Sequence, residues 1–321
     1  MNTDTRAGLL VGMLVLLAAI WALAFLSKHF ERAAGAVAPI AEIEPEVLSI
    51  LVVGSGGTFE NPERRGPALL AGRGKDLALF DAGRGAADGL RKAVVPVQQA
   101  RVVFLSSLLP ENSAGLDDLW LQGWLGGANT PLVVYGPAGT GELVAGLTAA
   151  HARGAAAQAA TFALAPEGGR IEAHELADGA EIALGALRVH AYALSGGPLP
   201  AFAYRLIDGE RSYAFAGASW DEDALVRAAD SAQLLATEGV YQGSLDQAAQ
   251  IGADVAQLRS EARLHVALEA VGALATRAGV RGVLLSRLRP PPAFHYQYED
   301  LVEETFRGPV HIAEDGETIT P

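Results

Sequence analysis

The stretch from Val102 to Trp120, VVFLSSLLPENSAGLDDLW, constrains this chain more than any other. It opens on a short apolar run rich in β-branched residues, which predicts a buried strand. It breaks at Ser106 and Ser107 and resumes with helical spacing after Gly115. A strand that passes through a polar loop into a helix is a place where α/β proteins put chemistry. With 321 residues, half of them apolar, the chain can bury the core of one large domain or two modest ones.

A second stretch stands apart from any such core. From Gly8 to Leu26 the sequence GLLVGMLVLLAAIWALAFL carries no charge. At roughly 1.5 Å per residue, about 19 helical residues span about 28 Å, close to the hydrocarbon thickness of a bilayer. Residues 1–30 are therefore expected to form an N-terminal transmembrane anchor, with the lipid bilayer as partner of Gly8 to Leu26. The other reading is a cleaved signal peptide, which the length of the run and the lack of a prompt small-x-small site disfavour. Arg6 and the terminal amine flank one side, and Lys28 and Arg32 the other, so charge leaves the orientation open. The Ala-, Pro- and Glu-rich residues 31–47 read as a tether to a folded domain over residues 48–321.

Charge and composition remove several function classes. A net charge of -13 without a Lys/Arg cluster disfavours a nucleic-acid partner. With no cysteine, neither disulfides nor a thiolate metal site can form. The segment LSILVVGSGGTFENPERRGPALL runs from an apolar strand into Gly54, Gly56 and Gly57, which fit no phosphate-loop pattern and are expected to serve a tight turn at positive φ. Trp120 and Trp124, four apart, share a helix face. Core packing or a homodimer contact is the expected use, and stacking on a substrate the alternative. The alanine-rich run from Thr148 to Gly169 is expected to hold a helix and the join between two halves of the domain. His174 and His190 have no second histidine at ligand spacing and read as ordinary histidines.

Taken together, these segments resemble the metallo-β-lactamase superfamily, in its ribonuclease Z-like and arylsulfatase-like branch. The resemblance rests on VVFLS and GLDDLW around the central loop, and on GSGG followed by NPERRGPALL and LALFDAGRGAADGL with its Asp81-Ala82-Gly83 turn. It continues through LRVHAYALSGGPLP and LHVALEAVGALATRAGVRGVLLSRLRPPP. It implies an α/β αββα four-layer sandwich after the N-terminal helix, with the Asp of the Asp-Ala-Gly turn supporting the metal loop from beneath. In that branch the loop reads His-x-His-x-Asp-His; here the four positions are Ser107, Leu109, Glu111 and Asn112. The remaining ligand positions, a His, a bridging Asp and a final His, become Gly196, Ala218 and Arg287. A His-Glu pair becomes Thr237 and Glu238, and His265 matches the histidine of a His-x-Thr.

These substitutions bear directly on chemistry. Zinc hydrolysis needs neutral imidazoles and carboxylates converging on the ion. Of the seven positions only Glu111 remains a plausible ligand, so zinc, expected for the family, is not expected as a cofactor here. The expectation is a pseudoenzyme, a non-catalytic binding or scaffold protein with an unassigned ligand or protein partner, in which Glu238 and His265 are a remnant catalytic pair. The alternative is a phosphodiesterase-type or sulfatase-type hydrolase with an altered or metal-independent site, for example Ser107 with His265 and Glu238. Arg287 has two readings: its guanidinium replaces the metal charge by pairing with Glu111 or Glu238, or it turns out to solvent. Exported, membrane-anchored relatives imply a single pass in a bacterial inner membrane with the domain on the periplasmic side.

Overall fold

The computed structural model describes residues 3–37, 40–57, 63–250, 255–292 and 294–321, and the chain divides into two compact units after Ala41. Residues 38–39 of the expected tether, and Asn61 and Pro62 of NPERRGPALL, lie outside the described residues.

The first unit is a helix, α1 (Thr3–Val37). Its stretch Gly12–Phe30 is exposed and is long and apolar enough to cross a membrane, a test that a signal sequence also passes. The helix runs on to Val37, past the boundary expected at residue 30, because alanines at 33, 34 and 36 extend it at little cost. The other end of the expected tether belongs to the second unit: Ile43 N donates to Gln99 Oε1 (3.0 Å), and Gly74 N donates to Pro45 O (2.7 Å).

In the second unit the chain first lays down β1 (Ser49–Gly54), β2 (Ala68–Arg73), β3 (Asp76–Phe80), α2 (Ala86–Lys92), β4 (Val102–Phe104), α3 (Pro110–Ser113), α4 (Leu116–Leu125), β5 (Leu132–Gly136), α5 (Thr140–Phe162) and β6 (Ile171–Glu175). The second half adds β7 (Glu181–Leu184), β8 (Leu187–Leu194), β9 (Ala201–Asp208), β10 (Arg211–Ala216), α6 (Glu222–Ala229), β11 (Leu234–Val240), α7 (Gln242–Gln250), α8 (Ala256–Ala262), α9 (Leu268–Ala278), β12 (Gly282–Arg289), α10 (His295–Glu303), β13 (Val310–Ile312) and β14 (Thr318–Ile319). They build two seven-stranded sheets, ordered β14-β1-β2-β3-β4-β5-β6 and β13-β12-β11-β10-β9-β8-β7.

The layers follow from side-chain alternation. In β1, Ile50 and Val52 face the opposite sheet while Leu51 and Val53 face the outer helices, so the strand is buried on both sides. The inter-sheet core is aromatic: Phe80 stacks on Phe215 with centroids 3.9 Å apart, and Tyr204 packs edge-on against Phe104. Two phenols stitch this layer with buried bonds, Tyr204 Oη to Leu105 O (2.7 Å) and Tyr213 Oη to Leu48 O (2.8 Å). Outside the first sheet, α2 and α4 cover a cluster that includes Trp120 and Trp124. Those two indoles stack at 6.4 Å and donate to Gly169 O and Ala165 O, which is core packing, as their spacing led us to expect. Outside the second sheet, α6, α9 and α10 cover another cluster. The result is the αββα sandwich.

The glycine-rich turn after β1 departs from expectation. Gly54, Gly56 and Gly57 are not in the positive-φ region. They are glycine because other groups come close: a Cβ would lie 2.0 Å from Gly66 O at Gly54 and 3.1 Å from Arg289 Cζ at Gly57.

Candidate functional site

The parallel strands β3, β4, β10, β11 and β12 all point their carboxyl ends at one edge of the sandwich, where α/β folds expose functional groups. At the floor of that edge lies Asp81, directly after β3. Its Oδ1 accepts from Ser106 N (2.7 Å), and Ser106 Oγ donates to Oδ2 (2.8 Å). The neighbouring backbone is fastened in the same way: Ala82 N donates to Asn112 O and Gly115 N to Ala82 O, both at 2.8 Å. A Cβ at Gly115 would stand 2.1 Å from Gly83 O, so only glycine allows the loop to sit this low. The Asp81-Ala82-Gly83 turn thus holds the β4–α4 loop from beneath, as the resemblance implies.

Arg287 completes this floor from the other sheet. Its Nη2 donates to Asp81 Oδ2, and its Nη1 donates to Asn112 Oδ1 (2.9 Å) and Gly217 O (2.7 Å). Asn112 passes the network on, with Nδ2 donating to Ser107 Oγ (2.8 Å) and Ser106 Oγ (3.0 Å). Arg287 itself sits at φ 52° with its N–H on Ser55 O, a backbone conformation unfavourable for an arginine and fixed by its surroundings. Gly217 has to be glycine, since a Cβ there would come within 2.4 Å of Asp81 Oδ2.

Two residues along β12, Arg289 builds a second centre. Its Nη1 donates to Glu238 Oε2 (3.0 Å) and Arg287 O (2.8 Å), and its Nη2 to Glu111 Oε2 (2.6 Å). The other Glu238 oxygen accepts from Ser219 Oγ (2.7 Å) and lies 2.8 Å from His265 Nδ1, off the line of a hydrogen bond. Ser219 is itself fixed by Val266 N (2.7 Å). Burial alone would raise the Glu238 carboxyl. The charges of His265, Arg289 and Arg287 outweigh it and hold the group down to about 2. At Asp81 the balance tips the other way: burial pushes the carboxyl above its ordinary value, and Arg287 and Ser106 offset this only in part.

This geometry corrects the expected partners of Arg287. The guanidinium is buried rather than turned to solvent, and it pairs with Asp81 instead of Glu111 or Glu238; those two belong to Arg289. The cause is a register shift between β11 and β12 at Thr237–Gly239, together with the left-handed backbone at Arg287, which aims its side chain at the floor. Of the seven positions that the resemblance matches to metal ligands, Ser107, Asn112 and Arg287 join the floor network and Glu111 the second centre. Leu109 caps the start of α3, and Ala218 packs in the core against the outer helices. Gly196 lies in an exposed turn at φ 75°, with open space where a side chain would be. Glu238 and His265 do come together; the hydroxyl on Glu238 is that of Ser219, while Ser107 is bound to Asn112. Sequence reasoning missed Arg289 and Ser219. The signal for Arg289 was present, since residues i and i+2 of a strand share a face.

Glu111, Glu238 and His265 bring three donor atoms within 4.8 Å of one another, a set that counting the seven positions did not disclose. Both carboxylates of the set already hold Arg289.

A two-sheet sandwich with its charged groups at the strand ends defines a class, the metallo-β-lactamase fold. Solved structures agree. A metallo-β-lactamase fold protein, YhfI from Bacillus subtilis, superimposes with a TM-score of 0.67 at 20% identity, over 85% of this chain and 100% of its own. The short form of human tRNase Z gives 0.60 at 18%, over 85% and 98%. Within that class the chain is ribonuclease Z-like. It is 24% identical over 275 residues to a ribonuclease Z of Mycobacterium bovis, covering 84% of this chain and 96% of that one. A ribonuclease Z of Mycobacterium marinum is 30% identical over 136 residues, 41% of this chain and 49% of the relative. No protein-family model matches the sequence.

Proposed function

We propose that this chain is a non-catalytic, ribonuclease Z-like protein in which two arginines have taken over the electrostatic role of the family's metal ions. The observation that carries this reading is the paired seating of Arg287 on Asp81 and of Arg289 on Glu111 and Glu238. The donor set does not fit a zinc ion. Serine, leucine, glycine and alanine stand at former ligand positions, and a cation entering among Glu111, Glu238 and His265 would have to displace a buried guanidinium that repels it. The Ser219 hydroxyl of the cluster is held by Glu238 and Val266 N, and the role of the cluster is to lock the cleft and present the surrounding surface to a ligand or partner. The acidic chain favours no nucleic-acid substrate. The apolar helix supports a single-pass anchor, and we place the domain on the periplasmic side of a bacterial inner membrane.

A second reading, hydrolysis, is favoured by one observation, the convergence of Glu111, Glu238 and His265. Elemental analysis of the full-length protein from zinc-supplemented medium, with phosphodiesterase and sulfatase assays on the same preparation, separates the two. Substoichiometric zinc and no turnover are expected. Stoichiometric zinc that is lost in Glu111→Gln, or turnover abolished by His265→Ala, overturns the proposal.

A further inference from the structure

The edge of the sandwich opposite the arginine pair carries a groove that the reading above does not use. Arg211 opens β10, Gln233 precedes β11 and Arg281 precedes β12, so the three side chains start from neighbouring strands spaced about 4.8 Å apart. Gln233 is pinned in place, its Oε1 accepting from Ser212 N and its Nε2 donating to Glu210 O (3.3 Å). Arg211 and Arg281 are exposed, and among the described residues neither enters an ion pair. These three residues are shared by two cavities of opposite character.

One cavity, of about 370 Å³, has apolar walls from Leu234, Val283, Pro309 and Ile319. The other, of about 670 Å³, is polar and holds Glu46, Glu210 and the Arg73–Asp208 pair, closed at 3.0 Å. The two cavities meet at Arg211, Gln233 and Arg281, so the apolar wall lies on one side of the guanidiniums and the polar cavity with Glu46 and Glu210 on the other, and among the described residues neither of these carboxylates enters an ion pair. Both volumes lie in the range of small-molecule sites. An apolar wall recruits a hydrocarbon chain, and paired guanidiniums recruit a phosphate. Carboxylates beyond them recruit a cation.

We infer that this groove binds a single-chain zwitterionic phospholipid, its acyl chain in the apolar cavity, its phosphate on Arg211 and Arg281, and its ammonium group toward Glu46 and Glu210. The opposite placement would set the headgroup against the apolar wall and the acyl chain among Arg73, Glu46 and Glu210. The inference does not rest on the state of the arginine pair at the other edge.

The test uses the full-length protein held in amphipol and equilibrium dialysis of radiolabelled 12-carbon lysophosphatidylethanolamine below its micellar concentration. Saturable one-to-one binding is expected, weakened at least tenfold in Arg211→Gln/Arg281→Gln. Dodecyl phosphate, which lacks the ammonium group, should bind more weakly to the wild type. It should also be indifferent to Glu46→Gln/Glu210→Gln, which weakens the lysophospholipid. O-Phosphoethanolamine, a headgroup without a tail, should bind at least tenfold more weakly than the lysophospholipid. Equal binding of wild type and the arginine variant would overturn the site. Equal binding of phosphoethanolamine and lysophospholipid would overturn the tail cavity, and a glutamate pair without effect would overturn the placement of the ammonium group. All four substituted side chains are exposed, and unchanged melting of both variants shows that folding is not what is read.

Discussion

The two guanidinium centres sit two residues apart on one strand and solve the same problem in different ways. At the floor, Asp81 faces one cation, Arg287, and its other partners are the neutral N–H and hydroxyl of Ser106. At the second centre, Glu238 faces Arg289 and His265 together with the Ser219 hydroxyl. Burial wins over attraction at Asp81 and loses at Glu238, so one carboxyl is raised and the other held near 2. Pairing with arginine does not by itself make a buried carboxylate comfortable; the number of cations within reach decides.

The largest test of that contrast is to remove each cation. Arg287→Ala strands Asp81 in the interior with no other cation and should cost about 3–5 kcal/mol of folding stability in denaturant titrations. Arg289→Ala made in a Glu111→Gln background, so that Glu111 is not stranded, leaves Glu238 with His265 and Ser219 and should cost less, about 3 kcal/mol. Equal losses would break the comparison.

A pH series sharpens it. Glu238 has a depressed pKa, so its contribution, on the order of 3 kcal/mol, is present above its ordinary value of 4.5 and is lost as pH falls toward about 2. Asp81 is raised, so its contribution has the opposite sign: present below its ordinary 3.8 and lost as pH rises through the folded value. In acid unfolding curves Glu238→Gln should flatten the loss below pH 4.5, whereas Asp81→Asn should remove a gain in stability on acidification that lies above pH 3.8. A wild-type slope in both variants would show that neither carboxyl is coupled to folding.

Smaller effects probe the packing around the floor. Gly217→Ala drives a Cβ into the Asp81–Arg287 pair and should cost about 1–3 kcal/mol by thermal or chemical melting. Trp124→Phe removes the 2.7 Å bond to Ala165 O far from either centre and should cost about 1 kcal/mol, the reference against which the others are read.

Much of this architecture was legible from residue order. The strand, loop and helix of Val102–Trp120 appear as β4, α3 and α4, and the Asp81-Ala82-Gly83 turn lies under the loop. Periodicity carried that information, because alternation and helical spacing are set by neighbours a few residues away. The glycines of the first turn misled, since close approach of Gly66 O and Arg289 is not written in their own neighbourhood. Arg287 misled for the same reason: its partner is 206 residues away, and its direction depends on a register shift between strands.

Residue order alone told which segments are apolar on which face and that the N-terminal run is long and apolar enough to cross a bilayer. The tertiary structure alone decided which arginine meets which carboxylate, and which of those carboxyls is raised or lowered. Side-chain identity and spacing are local quantities, whereas desolvation and Coulomb attraction depend on distances that exist only once the two sheets have closed on each other.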